Sequence, residues 1–294
     1  MTRVLITGAS GMLGHALISS APTGVALIAT DVSEGADVTL DITDEGAVGR
    51  AFAETRPEAV INAAAYTAVD KAEDDESTAQ AVNGSAVAIL GAACAQAGIP
   101  MVHVSTDYVF DGTLDAGASY GEGDPTAPLS AYGRTKLAGE LALAASGAEH
   151  HIVRTQWLYG LDGPNFVETM LALAATRDRL SVVDDQVGSP TSTHSLAPLL
   201  WALLARRPAQ GIYHAVNAGE CSWYDFARAI FEGAGVDIAV EAVPTSAFPR
   251  PAHRPARSVL CTDKLRSALD IDIPDWREAL TDYLVRRASL DSAT

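Results

Sequence analysis

Arg3-Val4-Leu5-Ile6-Thr7-Gly8-Ala9-Ser10-Gly11-Met12-Leu13-Gly14 opens the chain and decides its architecture. Val4 to Ile6 is apolar throughout, too short for a helix and halted at once by glycine, which reads as a strand buried on both faces. Three glycines follow, spaced three and three, and the pattern then turns helical through Ser20. The general dinucleotide fingerprint is spaced two and three, but the physics is shared. Glycines allow a tight turn, let a pyrophosphate approach the backbone and let the helix pack closely, with phosphate on the helix N-terminus. A glycine triplet alone is equally a plain strand-to-helix turn. Here Asp31 stands just past the second strand, where a ribose-binding carboxylate belongs.

The same rhythm continues. Val25 to Thr30 reads as a strand ending in Asp31, and Val38-Thr39-Leu40 as one ending in Asp41, with Thr43 placed to cap a helix to about Glu54. Ala59-Val60-Ile61 closes on Asn62-Ala63-Ala64-Ala65. An Ala-rich helix over 77–97 leads to a fifth strand at 101–105, a helix over 131–145 and a sixth strand at 152–154. Apolar strands alternating with helices predict an α/β fold with a doubly wound parallel sheet, Rossmann-type, over residues 1–155. Ligands on that fold bind outside the carboxyl ends of the strands, where Gly8, Asp31, Asp41, Asn62 and Thr106 all fall. Beyond 155, proline and glycine become frequent. Helices are expected over 165–176, 193–205, 223–234 and 275–287, in a smaller irregular α/β substrate-binding domain over 156–294, with roughly 185–210 returning to the sheet.

Composition narrows the partners. A net charge of -17 argues against nucleic acid or an anionic membrane, both of which need clustered Lys and Arg. With 48% hydrophobic residues the chain can bury a large core. Cys94, Cys221 and Cys261 have no pairing or zinc-site spacing, and Cys94 reads as a small buried thiol. The opening runs straight into a strand without a charged leader and long apolar region, and the apolar run 196–205 is half a membrane span. No signal, no membrane span and a cytoplasmic location are expected.

The chemistry concentrates between Pro100 and Glu140. Tyr132 and Lys136 lie four apart, so on a helix they share a face. An ammonium beside a phenol favours phenolate, so Lys136 is expected to lower the Tyr132 pKa. Such a pair occurs by chance on many helices as an exposed tyrosine and a solvated lysine. Its place after the fifth strand of a dinucleotide-binding sheet, with Thr106 at the strand end, argues for a site. No Arg or Lys lies between Thr30 and Gly49, so Asp31 favours NADH over NADPH by repelling a 2′-phosphate. His103 reads as a core histidine, Glu73-Asp74-Asp75-Glu76 as a solvated helix start, and Asp107 as a turn cap or sugar contact. Arg250, Arg254 and Arg257 form the one dense basic stretch of the second half. They are either ordinary surface arginines or the partner of a pyrophosphate.

The combination of glycine loop, Thr106, Tyr132 and Lys136 resembles the short-chain dehydrogenase/reductase superfamily in its extended form. Val102 to Gly112, Asn62 to Glu73, Pro128 to Glu140, Arg154 to Tyr159, Asp185 to Thr191 and Trp223-Tyr224-Asp225 together resemble the dTDP-4-dehydrorhamnose reductase family. The likeness runs on through Arg254-Pro255 to Pro274-Asp275-Trp276. It implies reduction of the carbon-4 ketone of a dTDP-4-keto-6-deoxyhexose by NADPH or NADH. Tyr132 would be the proton donor, Lys136 would hold the nicotinamide ribose and Thr106 would bond the reacting oxygen. By the same likeness Gly8, Gly11, Met12, Leu13, Gly14, Asp31, Asp41, Ile42, Ala63, Ala64 and Ala65 line the cofactor. Thr67, Val69, Thr106, Asp107, Trp157 and Arg254 would meet the nucleotide sugar. Trp157 is expected as a stacking wall, although plain core is its alternative. The related dehydratases place Glu after Ser-Thr-Asp, and Tyr108 here points to reduction instead. No metal is expected, and the oligomer is a monomer or homodimer. Two other readings stay open: a 4-ketoreductase of another dTDP-deoxysugar, and a non-catalytic cofactor-binding regulatory subunit.

Overall fold

The computed structural model describes residues 2–33 and 35–291. The first half runs β1 (Thr2–Thr7), α1 (Met12–Ser19), β2 (Val25–Asp31), β3 (Val38–Thr39), α2 (Glu45–Thr55), β4 (Ala59–Asn62), α3 (Glu76–Gln80), α4 (Ala86–Ala97), β5 (Met101–Thr106), α5 (Ala131–Ala145) and β6 (His150–Thr155). The second half runs β7 (Leu158–Tyr159), α6 (Phe166–Ala174), β8 (Arg179–Val183), β9 (Val187–Gly188), β10 (Thr191–Ser192), α7 (Thr193–Arg206) and β11 (Gly211–His214). It ends with β12 (Cys221–Ser222), α8 (Trp223–Ala234), β13 (Ala239–Val243), α9 (Asp263–Leu269) and α10 (Trp276–Asp291).

Seven strands form one sheet in the order β11-β6-β5-β4-β1-β2-β3, and every pairing in it is parallel. The strand order reverses at β1 and β4, which leaves a crevice at their carboxyl ends. Alternate residues feed opposite faces. Val4, Ile6 and Ile61 pack under α1, α7 and α9, whereas Leu5, Val60 and Met101 pack under α2, α4 and α5. The seventh strand, β11, lies outside the six expected. Its four residues are too few to carry a pattern, and the β6 edge supplies the pairing. Asp44, not Thr43, caps α2 by accepting from the Ala47 N–H at 3.0 Å.

The expected helix over 77–97 is broken by a π-helical turn, Ala81–Ser85. The wide turn puts Asn83 in the interior, where its side chain accepts from the Tyr66 N–H at 2.9 Å. It donates to the Tyr66 carbonyl at 3.0 Å and to Thr135 Oγ1 at 3.2 Å. Glu76–Ala97 is long and apolar enough to cross a membrane by length and composition. In the fold its apolar side, Ala86, Val87, Leu90 and Cys94, is buried against the sheet and α5.

The second half has its own core, in which Tyr159, Val167, Phe226, Trp276 and Tyr283 meet. A parallel pair, β8 with β13, edges it, and α8 is fastened by a capping box between Ser222 and Asp225.

Candidate active site

A cleft of about 900 Å³ opens at the carboxyl ends of the sheet. Every residue that the family likeness marked as catalytic, cofactor-binding or substrate-binding lines it except Arg254, and Asn62, Arg250 and Arg257 also lie outside its lining. The loop after β1 shows why its glycines are there. Gly8 has φ +69°, and a Cβ on it would lie 2.7 Å from the Ala64 nitrogen. A Cβ on Gly14 would lie 2.3 Å from the Gly8 carbonyl oxygen, so the helix can sit this close only as glycine. Gly11 differs. A Cβ there would meet nothing nearer than the Gly8 oxygen at 3.4 Å, so the room it leaves is room in the cleft. Gly11 also caps α1 with no side-chain hydrogen bond, which leaves the helix N-terminus to an anionic ligand. The floor of Gly11, Met12, Leu13 and Ala63 to Ala65 is small or apolar. These residues fit a dinucleotide.

Asp31 Oδ2 accepts from the Ser10 N–H at 3.0 Å, and Oδ1 accepts from Ser33 N–H and Oγ at 3.0 and 2.9 Å. Burial works to raise its pKa, but the donors from Ser33 and Ser10 outweigh it and hold the carboxyl below its ordinary value. Asp41 is turned onto Thr43, accepting from its N–H at 2.9 Å and its Oγ1 at 2.7 Å.

The reacting end of the cleft is built by α5 against β5. Ser130 caps the helix by accepting from the Gly133 N–H, and Glu73 accepts from the Ala131 N–H at 2.8 Å. Glu76 grips the Arg134 guanidinium at 2.9 and 2.8 Å. The acidic run 73–76, expected to be merely solvated, therefore fastens the N-terminus of the helix that carries Tyr132. Lys136 is buried, donates from Nζ to the Val104 carbonyl at 2.7 Å, and is brought down to about 8 by burial, against the pull of Glu140. Tyr132 has the Thr106 side chain beside its hydroxyl and stacks edge-on to Tyr108 at 5.5 Å.

The expectation that Lys136 lowers the Tyr132 pKa is not met. Burial pushes the phenol up to about 12, with Thr106 pulling the other way and Asp107 adding to the rise. Desolvation dominates, and the Lys136 ammonium gives its hydrogen bond to the Val104 carbonyl. His103 is buried in the sheet with Nδ1 3.0 Å from Asn62 Nδ2, its Nε2 without a partner, and its pKa far below the ordinary value through burial and Lys136.

Trp157 lines the cleft at φ +48°, stacked on Trp223 with centroids 3.6 Å apart. One face of the expected sugar wall is thus already covered by protein. Arg254 faces Asp70, donating from Nη1 and Nη2 at 2.9 Å each, with the Ala252 N–H on the same carboxylate. Arg257 is bound to Glu220 and to the Ala118 carbonyl, and exposed Arg250 lies 3.9 Å from Asp70. The basic stretch closes the protein on itself. Ser10, Val32, Thr43, Val82, Gln156 and Asp162 to Pro164 also line the cleft. The sequence reading gave none of them a place at a ligand: Thr43 is expected as a helix cap, Val82 falls within the helix expected over 77–97, and the others stand in loops at positions that carry no signal of their own. Among the described residues no group of three or more His, Cys, Asp or Glu could hold a metal ion.

The family described as RmlD substrate binding domain matches residues 1–289. The chain is 41% identical over 294 residues to the dTDP-4-dehydrorhamnose reductase of Burkholderia thailandensis, covering 95% of this chain and 96% of that one. Among solved structures, the dTDP-4-dehydrorhamnose reductase of Clostridium acetobutylicum superposes with a TM-score of 0.92 at 42% identity, over 98% of this chain and all of that one. The Bacillus anthracis dTDP-4-dehydrorhamnose reductase in complex with NADP superposes with a TM-score of 0.91 at 36% identity, over 97% of this chain and 100% of that one. With the matched family spanning all but the last few residues, and with a cleft of this construction, the chain belongs to the RmlD substrate binding domain family.

Proposed function

We propose that this protein is an NAD(P)H-dependent reductase that converts the carbon-4 ketone of dTDP-4-dehydro-L-rhamnose to the alcohol of dTDP-L-rhamnose. The observation that carries the reading is the meeting of Thr106, Tyr132 and Lys136 in one cleft with the glycine loop and Asp31. When bound, the nicotinamide supplies the hydride for carbon 4. Tyr132 delivers its proton to the ketone oxygen as the carbon–oxygen π bond opens onto that oxygen, giving the alcohol and leaving a tyrosinate to be reprotonated from solvent. A phenol held near 12 is protonated at neutral pH, the form a reduction needs. Thr106 hydrogen-bonds the same oxygen, and Lys136 holds the nicotinamide ribose. Thr67, Val69, Asp107 and Trp157 form the sugar side of the cleft. Arg254 joins them only if a diphosphate draws it from Asp70. The net charge of -17 supports an enzyme that meets neither nucleic acid nor an anionic membrane, and the same reading makes it a cytoplasmic monomer or homodimer.

The test is oxidation of NADH and of NADPH by the purified protein with enzymatically generated dTDP-4-dehydrorhamnose. Turnover to dTDP-L-rhamnose is expected with at least one cofactor. Cofactor binding without turnover of this sugar would refute the substrate assignment. Asp31 governs the choice between the two cofactors. Asp31→Ala removes both the charge and the Ser10 tether, and should lower the ratio of kcat/KM for NADH over NADPH by about tenfold, some 1.4 kcal/mol. An unchanged ratio would take Asp31 out of cofactor selection.

A further inference from the structure

Gln156, just past β6, is 2% exposed, and its amide meets three other segments of the chain. Oε1 accepts from the Ser189 N–H at 2.7 Å. Nε2 donates to the Ser258 carbonyl at 2.8 Å, to Ser258 Oγ at 3.1 Å and to Asp107 Oδ2 at 3.1 Å. A backbone N–H only donates and a carbonyl only accepts, so the amide has a single orientation, with its nitrogen on Asp107. Asp107, Ser189 and Ser258 are themselves buried.

The other Asp107 oxygen, Oδ1, accepts the Thr106 hydroxyl at 3.1 Å. Thr106 has one hydrogen to give, and its oxygen already accepts from the Tyr108 N–H at 3.2 Å. While Asp107 is ionised, that single hydrogen is committed to it and is withheld from a ketone in the cleft. With a proton on Oδ1 the direction reverses. Asp107 then donates to Thr106, and the Thr106 hydrogen can turn toward the ketone.

We propose that Gln156 is a positioning residue acting through Asp107 on Thr106: it fixes the carboxyl so that the ionised form captures the Thr106 hydrogen and the protonated form releases it into the cleft. This rests on the reading of Thr106 as a partner of the ketone. Burial pushes Asp107 up to about 6, while donors from Ser258, Thr106 and Gln156 pull it down, so Gln156 also helps set where the exchange occurs. The titratable groups facing Asp107 are Tyr132 from α5 and Tyr108 from its own turn, with Arg254 and Asp70 behind Tyr108. Both tyrosines are pushed to high pH by burial, which leaves Asp107 as the group of this cluster that titrates near 6.

The experiment is the pH dependence of kcat/KM for the full chain with NADPH and dTDP-4-dehydrorhamnose, over about pH 5 to 9. The wild type should step down as pH rises through about 6, where Asp107 ionises. Gln156→Met removes the donor to the carboxylate and should move that midpoint up by about one pH unit. Gln156→Glu keeps the acceptor for Ser189, adds a negative charge beside Asp107 and should move it the same way. In Asp107→Asn, which cannot titrate, the step should vanish whatever the absolute rate. A merely structural Gln156 would lower the rate equally at every pH, and an unmoved midpoint in both Gln156 variants would overturn the proposal. A step that persists in Asp107→Asn would overturn it even if neither Gln156 variant folds. Thr106→Val separates this from the reading beneath it. Wild-type rate in that variant would remove Thr106 from the ketone and the proposal with it. A slowed Thr106→Val beside unmoved Gln156 midpoints would sink the Gln156 role alone.

Discussion

Tyr132→Phe is expected to lower kcat by about 10²–10⁴-fold while leaving cofactor affinity within a few-fold of wild type. The substitution removes one oxygen and keeps the ring, so the edge-on contact with Tyr108 and the packing against Ala72, Ala79 and Ala131 survive. What goes is the proton donor for the ketone oxygen and the phenol hydroxyl beside Thr106. The ketone must then draw its proton from water or from Thr106, which is a far weaker acid. Single-turnover oxidation of bound NADPH reads the chemical step directly, and fluorescence titration reads binding. A variant that keeps more than a tenth of the wild-type rate would move the donor role elsewhere, with Tyr108 the other phenol lining the cleft.

The main sheet was legible because each central strand is short, apolar and ended by a small or acidic residue. Gly8, Asp31 and Thr106 fall at strand ends by this pattern alone. The broken helix was not legible. Ala81 to Ser85 contains nothing that forbids an α-helix, and the π turn exists because buried Asn83 finds three partners, two on Tyr66 and one on Thr135. That is tertiary information. The same holds for β11, whose four residues are drawn into the sheet by the exposed edge of β6. Within the cleft, residues in motifs were found and residues in loops were missed. Gln156 was quoted within a matching block and given no role, since its importance lies in partners 33, 49 and 102 residues away. Arg254 shows the same limit from the other side. A basic residue in a Pro-rich loop invites a phosphate, and nothing in one sequence announces that Asp70, 184 residues away, will meet it.

Glu140→Gln is expected to destabilise the fold by about 3–5 kcal/mol, the cost of breaking a buried ion pair from one side. Glu140 is 2% exposed and accepts from Arg154 Nε at 2.9 Å, Arg154 Nη2 at 2.7 Å and Ser105 Oγ at 2.5 Å. Arg154 is equally buried, its guanidinium lies 4.9 Å from the Phe110 ring centroid, and its Nη1 has no partner. Neutralising Glu140 leaves that guanidinium in the interior without a counter-charge. In a chain of this size the loss corresponds to a fall in Tm of roughly 10 °C. The consequence reaches the active site, because Tyr132, Lys136 and Glu140 follow one another at four-residue intervals along α5. Glu140 is the charge that favours the Lys136 ammonium against burial, and Lys136 already sits at only about 8. Without Glu140 the lysine should lose its proton at lower pH, so the alkaline fall in kcat/KM should begin nearer neutrality. The double variant Glu140→Gln with Arg154→Met separates the two effects. It removes both buried charges, so stability should largely return, while the early alkaline fall persists because Lys136 still lacks its anion. If the double variant regains stability and the wild-type alkaline limb together, Glu140 serves Arg154 alone and has no electrostatic role at Lys136.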